Sequence, residues 1–247
     1  MDARSRILAG TVGFIALVAI LSLVGWRWGI VQFNAGVPSI SLARLLNHRP
    51  SLDRPVNFPA DFSDEARQTW RLNVATSRAA IEKNPADVSS WFDLAIYYKM
   101  VGDYDGALEI WEYVDTTYPT GKAVALHNLG EYYFHTLKDY PTAEQYYRQS
   151  IAIAPQFAIN YSDLFDIYRY VYKQDTRAAA DIIKEGLAHV PAPDGIVLEL
   201  SLADYYKSKS DTANARAMLR QAREGAKAIG DSKVLYQIDQ QLKTLEK

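Results

Sequence analysis

Residues 88–121 decide the fold and read VSSWFDLAIYYKMVGDYDGALEIWEYVDTTYPTG. Leu94, Ala95 and Tyr98 recur at helical spacing and predict one buried helical stripe. A turn at Gly102 separates this helix from a second apolar helix. The stretch therefore predicts two antiparallel helices that bury their apolar stripes against each other.

The same arrangement recurs at the spacing of four prolines. Pro85, Pro119, Pro155 and Pro191 are separated by 34, 36 and 36 residues, and a period in this range indicates a solenoid. A weaker fourth copy lacks the aromatic residue at its start and the closing proline. The recurring residues share type and order: Trp91, Leu94, Ala95, Tyr98, Gly102, Ala107 and Trp111 in the first copy; Leu126, Leu129, Gly130, Tyr133, Ala143 and Tyr147 in the second; Tyr161, Leu164, Tyr168, Ala179 and Ile183 in the third; and Leu202, Ala203, Tyr206, Ala215 and Leu219 in the fourth.

This pattern resembles the tetratricopeptide repeat (TPR) family, whose units carry an aromatic residue, Leu-Gly, Tyr, Ala, an aromatic residue, Ala and a closing Pro. The resemblance covers roughly residues 64–228 and implies an all-α solenoid of three to four helix pairs, each an A helix followed by a B helix. The second copy has one extra residue and the third has two, which we place in the turns between their helices. We expect a TPR solenoid at 61–247, with repeats at about 88–121, 123–157, 158–193 and 196–228.

Capping helices are predicted at both ends of the solenoid. Residues 64–83 form a helix in register with a B helix but without a clear A partner. Residues 231–246 form a last helix with one apolar stripe and otherwise polar faces, which keeps the end of a solenoid soluble. Asp103, Asp139 and Asp175 stand where each B helix begins, so we expect them to be N-caps.

The N-terminal part of the chain has a different composition. Residues 1–60 carry six Arg and two Asp, a net charge of +4, whereas residues 61–247 carry a net charge of −6. Residues 7–25 read ILAGTVGFIALVAILSLVG, and a helix of this length spans roughly 28 Å, close to a bilayer core. No A-x-A-like cleavage site closes the run. We therefore expect residues 1–28 to be an uncleaved transmembrane anchor.

The flanks of the anchor bear on topology. A basic head before the apolar run favours a cytoplasmic N-terminus and extracytoplasmic repeats in a plasma (inner) membrane, although the arginines on the two sides nearly balance. Residues 29–60 contain four of the ten prolines and predict a linker, in which 39–47 is either a short amphipathic helix or an extended spacer. Small residues at Ala9 and Gly13 leave a homodimer open.

The composition excludes several kinds of site. The chain has no Cys and four His, so thiolate metal sites and cysteine nucleophiles are ruled out. A net charge of −2 gives no case for nucleic acid. His127, Glu131 and His135 are spaced i, i+4, i+8, and the outer two lie about 12 Å apart along a helix, too far to share one ion. We expect no catalytic residues, no metal and no cofactor.

The resemblance also implies a binding surface, because A helices line the concave groove of TPR domains and partners usually bind there. Some TPR domains clamp the C-terminal carboxylate of a partner with Lys and Arg at set positions. Of the clamp positions, Asn128 is the one that matches here, so we do not expect a clamp of this kind. Acidic, aromatic and aliphatic residues prevail, so we expect a protein or peptide partner with basic and apolar character. The transferred groove residues are Phe92, Asp93, Ile96 and Lys99; His127, Asn128, Glu131, Phe134 and His135; Asp163, Asp166, Arg169 and Tyr170; and Asp204 and Lys207.

Two functions are compatible with this layout. The first is a membrane-anchored TPR adaptor that recruits protein partners, similar in layout to bacterial envelope proteins of protein assembly or translocation. The second is a homo-oligomeric structural membrane protein without a peptide ligand. The first is a binding function and the second a structural one, and the sequence contains no motif that favours an enzyme.

Overall fold

The computed structural model describes residues 48–174 and 176–245, and this part of the chain is helical without strands. The anchor predicted at 7–25 lies outside it, and none of the helices within it is long and apolar enough to cross a membrane. In chain order the α-helices are α1 (Asp64–Lys83), α2 (Val88–Met100), α3 (Tyr104–Thr117), α4 (Lys122–Tyr132), α5 (Tyr140–Ile153), α6 (Ala158–Asp166), α7 (Ala178–Leu187), α8 (Asp194–Ser208), α9 (Thr212–Ile229) and α10 (Ser232–Leu245).

Each helix packs on the next one in chain order. Between α1 and α10 the helices form four hairpins: α2 with α3, α4 with α5, α6 with α7, and α8 with α9. The first helix of each hairpin is an A helix and the second is a B helix. The predicted all-α class with successive helix pairs is thereby confirmed for the described residues. The fourth A helix begins at Asp194, slightly before the predicted start of its repeat.

The core consists mainly of the aromatic and small side chains that recur in the sequence. Tyr98, Trp111 and Tyr147 are almost completely buried. Gly130 of α4 lies so close to the ring of Tyr147 that a β-carbon at position 130 would be 2.9 Å from it. The small residues therefore let A and B helices approach, while the aromatic side chains fill the space between them.

Two of the three predicted N-caps are present. The carboxylates of Asp103 and Asp139 accept hydrogen bonds from the backbone N–H groups three residues later, at 3.0 and 3.2 Å. The third prediction is wrong, because α7 has Arg177 at its N-cap and no side-chain cap bond. Asp175 itself lies outside the described residues.

The A helices of the second and third repeats end in π-helical turns, at Tyr133–Leu137 and Ile167–Val171. The sequence alone predicts that the extra residues of these repeats lie in the turns between helices. A π turn closes an i→i+5 hydrogen bond and holds one residue more than an α turn, so part of the extra length lies inside the A helices instead. The backbone then reverses through left-handed lysines, Lys138 (φ 56°) and Lys173 (φ 61°).

The segment before α1 lies on the solenoid. We define residues 49–58 as the strap. Pro50 is buried, and Leu52 and Val56 pack against the main hydrophobic cluster. The predicted linker, 29–60, therefore includes residues that contact the repeats, and its part before residue 48 lies outside the described residues.

One core position breaks the pattern. The site that holds Trp91, Leu126 and Tyr161 in the first three repeats holds Glu199 in the fourth, the copy that lacks its initial aromatic. Glu199 is buried, and its Oε2 has no hydrogen-bond partner among the described residues. Burial raises the pKa of this carboxyl group, an effect that Gln221 partly offsets.

Replacing Glu199 with leucine is expected to raise the free energy of unfolding by about 1 kcal/mol at pH 7, because a buried, incompletely bonded carboxyl group costs at least that much. Leucine occupies the equivalent site as Leu126. Urea denaturation followed by circular dichroism measures the effect. Glu199→Gln is the matched control, since it removes the charge but keeps the polar shape; a loss of stability in Glu199→Leu would contradict the prediction.

Candidate functional site

The predicted partner-binding residues lie on the A helices and on the π-helical turns that follow α4 and α6. We define the A-helix face as the surface formed by their side chains outside the core. By element, the predicted residues are Phe92, Asp93, Ile96 and Lys99 on α2; His127, Asn128 and Glu131 on α4; Phe134 and His135 on its π turn; Asp163 and Asp166 on α6; Arg169 and Tyr170 on its π turn; and Asp204 and Lys207 on α8.

Five of the predicted charged residues pair with one another on this face. Lys99 Nζ of α2 donates to Glu131 Oε1 of α4 at 2.8 Å. Arg169 Nη1 donates to Asp204 Oδ2 of α8 at 2.9 Å, and Lys207 Nζ lies 3.5 Å from the other oxygen of that carboxylate. Such partly exposed pairs contribute roughly 0.2–1 kcal/mol each. Their main consequence is that these charges are largely compensated within the solenoid.

His127 is a structural link between repeats rather than an exposed groove residue. Its Nδ1 lies 3.0 Å from Asn160 Oδ1 of the next A helix, and Asn160 donates to Ser150 Oγ at 2.8 Å. Ser150 in turn donates to the carbonyl of Ala123 at 2.7 Å. Burial lowers the pKa of His127, so the neutral ring with hydrogen on Nδ1 suits this chain of bonds. Because the residue is only 9% exposed, it offers little surface to a partner.

Asp163 lies beside this network. Its Oδ2 is 3.6 Å from His127 Nδ1, and its side chain is 27% exposed. Burial raises the pKa of Asp163 to about 6; the Tyr147 hydroxyl beside it acts in the opposite direction, and the carboxylates of Glu131 and Asp166 add to the rise. The charge of Asp163 therefore changes close to neutral pH, unlike that of an ordinary aspartate.

The side chains that remain accessible are a mixture of acidic and apolar groups. Asp93, Asp166 and His135 are exposed. Ile96 and Tyr170 are 47% and 55% exposed, although large apolar side chains are usually buried. These five residues belong to the predicted set and are the members best placed to meet a partner.

The structure contains a cavity that the sequence alone does not predict. It has a volume of about 320 Å³ and lies between the starts of α6 and α8, lined in part by Phe157, Ile159, Ser162, Asp194 and Val197. The two aliphatic side chains among them are exposed. In the sequence, Ile159 and Val197 are apolar residues on A helices that lie outside the recurring core stripe. This pattern identifies a cavity only when the packing of α6 on α8 is known.

The accessible side chains of the A-helix face are polar and apolar groups that can contact another chain. Within 48–174 and 176–245, no group of three or more His, Asp and Glu side chains is placed to hold a metal ion. Most of the predicted polar residues contact other residues of the solenoid. The accessible carboxylates and apolar side chains are suited to non-covalent recognition of another chain.

The chain is similar to known proteins in two kinds of comparison. Residues 78–109 and residues 123–157 each match a family model described as tetratricopeptide repeat. The crystal structure of MamA matches 70% of this chain and 99% of its own, with 19% identity and a TM-score of 0.49. The crystal structure of a thermophilic TPR protein in Thermus thermophilus matches 71% of this chain and 92% of its own, with 19% identity and a TM-score of 0.44. No curated protein matches the chain.

Proposed function

This chain is a tetratricopeptide repeat protein, and from that premise we propose that it is a membrane-anchored scaffold. In this proposal residues 7–25 hold it in the plasma (inner) membrane, with the N-terminus in the cytoplasm. The repeats lie outside the cytoplasm and serve the assembly or translocation of envelope proteins. The A-helix face binds a protein partner that presents apolar and basic side chains.

The observation that carries the binding proposal is the composition of the accessible A-helix face. After Lys99, Arg169 and Lys207 have paired with carboxylates of the solenoid, exposed Asp93 and Asp166 remain beside large exposed apolar side chains. Apolar anchors supply most of the affinity in helix or peptide recognition, and complementary charge favours encounter and orientation. A basic, apolar segment satisfies both requirements.

Reversing two charges on the A-helix face is expected to reduce partner binding at least about fivefold, because like charges then face the basic partner. The change is Asp93→Lys with Asp166→Lys, both exposed; Asp163 is avoided because it lies against buried Tyr147. Photo-crosslinkers at Ile96 and Tyr170 measure binding in membranes that contain the full chain.

The controls place equal changes elsewhere. Asp61→Lys with Asp181→Lys reverses two exposed acidic residues outside the A-helix face and should leave crosslinking unchanged. A crosslinker at exposed Tyr236 of α10 reports non-specific capture. Equal crosslinking in both double variants would contradict the proposal, and a ladder formed by this chain alone would favour the homo-oligomeric alternative.

The anchor and the topology are tested separately. In a bacterial host, the full chain is expected to stay with membranes after carbonate extraction, whereas a variant lacking 7–25 is expected to be released. Protease added to intact spheroplasts should then digest the repeats. If the repeats are digested only after lysis, they lie on the cytoplasmic side and the proposed orientation is wrong.

A further inference from the structure

The strap lies against the first repeat through Arg54, which contacts both α1 and α3. The backbone carbonyl of Arg54 accepts a hydrogen bond from Arg78 of α1. Its guanidinium donates to both carboxylate oxygens of Asp103, at 2.5 and 2.7 Å, and lies 3.6 Å from Glu109 of α3. Tyr98 of α2 completes the site, since its hydroxyl accepts from Arg78 at 2.8 Å. We define the strap groove as the surface formed by four residues: the three that Arg54 contacts directly and the tyrosine bonded to one of them, namely Arg78, Asp103, Glu109 and Tyr98.

A glycine makes room for the arginine. A β-carbon at Gly106 would lie 2.7 Å from Arg54 Nε, and 2.8 and 2.9 Å from side-chain atoms of Asp103 and Tyr98, closer than such atoms approach. The equivalent positions of α5 and α9 hold Thr142 and Asn214, whose side chains bond the capping aspartates at 2.7 and 2.6 Å. In the first repeat the guanidinium takes the place of such a side chain. The groove is thus shaped for an arginine in a way that these two other repeats are not.

Apolar and cation–π contacts flank the arginine. Leu52 and Val56, two residues to either side, pack against the hydrophobic cluster, and Arg49 lies over the Trp91 ring, 5.7 Å from its centroid. The strap contains neither helix nor strand. It therefore resembles a bound peptide: a non-helical segment with a central arginine between two aliphatic side chains.

We propose that the strap groove is a second protein-binding site, apart from the A-helix face, which the strap occupies within its own chain. The partner is another protein that presents a non-helical segment with an arginine followed by proline, as in Arg54-Pro55, and an aliphatic residue two positions to each side. Charge complementarity selects this partner, because Asp103 and Glu109 face the guanidinium.

The strap also limits access to the groove. Arg54 remains 31% exposed, and Leu52 and Val56 are half-buried, so the strap makes few fully buried contacts. A tethered segment has an effective concentration on the order of millimolar. A partner in solution competes with the tethered strap, so its apparent affinity equals its intrinsic affinity multiplied by the fraction of molecules in which the groove is open.

The experiment uses the full chain and a fluorescent peptide with the sequence of residues 48–58, followed by anisotropy. Arg54→Glu in the protein repels the strap from Asp103 and Glu109. We expect this variant to bind the peptide at least about tenfold more tightly than the wild-type chain does, because the tethered competitor is weakened. Adding Gly106→Thr, which copies Thr142, should abolish the gain.

Two further measurements separate this site from other effects. Arg148→Glu, which breaks a more exposed ion pair with Glu185, should bind the peptide as weakly as the wild-type chain does. The Asp93→Lys, Asp166→Lys variant, combined with Arg54→Glu, should keep the tighter binding. Failure of the A-helix face proposal and failure of this one are therefore distinguishable.

The remaining outcomes decide against the proposal. Equal peptide binding by the wild-type and Arg54→Glu chains would overturn it, as would binding that Gly106→Thr leaves intact. Thermal melts check folding, and Arg54→Ala replaces Arg54→Glu if charge reversal unfolds the chain. A dimer of the wild-type chain in light scattering that Gly106→Thr dissociates would show that the occupant is the strap of a second copy, not another protein.

Discussion

Replacing Trp91 with alanine is expected to lower the free energy of unfolding by about 3–5 kcal/mol, the usual cost of truncating a fully buried tryptophan. Trp91 is completely buried in the first repeat, and its Nε1 donates to the carbonyl of Pro85 at 2.9 Å. Its ring also meets that of Tyr113 edge-on, with 5.1 Å between centroids. The substitution removes all of these contacts. Urea denaturation followed by circular dichroism measures the loss.

The matched control is Trp70→Ala on α1. Trp70 is half-buried, and its ring centroid lies 5.6 Å from that of Tyr97. We therefore expect Trp70→Ala to lower the free energy of unfolding by about 1 kcal/mol. Trp91→Phe should fall between the two, since it keeps a ring but loses the bond to Pro85. Equal losses for Trp91→Ala and Trp70→Ala would show that the first repeat contributes less to the core than its burial indicates.

Replacing Asp163 with asparagine is expected to stabilise the protein at pH 7 by roughly 1–3 kcal/mol, with the gain depending on pH. Burial raises the pKa of Asp163 from 3.8 to about 6 in the folded chain. The folded state therefore binds this proton more tightly than the unfolded state does. Ionisation disfavours folding as pH rises from about 4 to 6, and the full penalty is present above pH 6.

Asparagine cannot ionise, so the difference in the free energy of unfolding between variant and wild type should grow from about pH 4 to 6. Above pH 6 the variant should stay more stable by a constant amount. Below pH 4 the side chain of residue 163 is neutral in the wild type as well as in the variant, so the stabilities of the two proteins should converge. Denaturation at a series of pH values measures the difference. Asp93→Asn is the control, because an exposed surface change is expected to have an effect within about 0.5 kcal/mol at any pH. A difference between wild type and Asp163→Asn that does not vary with pH would contradict the prediction.

The partial burial of Asp163 illustrates a limit of transferring binding positions from a family pattern. The pattern assigns Asp163, His127 and Glu131 to one surface because of their register on the A helices. It contains no information on the neighbouring helices, whose residues bond to His127 and lie beside Asp163. The same applies to Lys99, whose partner lies 32 positions away in sequence on α4. Register predicts the face, whereas packing between repeats determines which charges stay available.

The sequence by itself determined the helix pairs, the two end helices and the caps at Asp103 and Asp139. These features depend on the spacing of apolar residues and on a side chain bonding to the backbone three residues away, and both are local. Only the tertiary structure decided which charges of the A-helix face are compensated, that π turns take up extra residues, and that the strap meets Gly106. The charge compensation and the strap contact depend on side chains that are far apart in sequence and meet only once the helices have packed. The π turns are local backbone hydrogen bonding that the spacing of apolar residues does not encode.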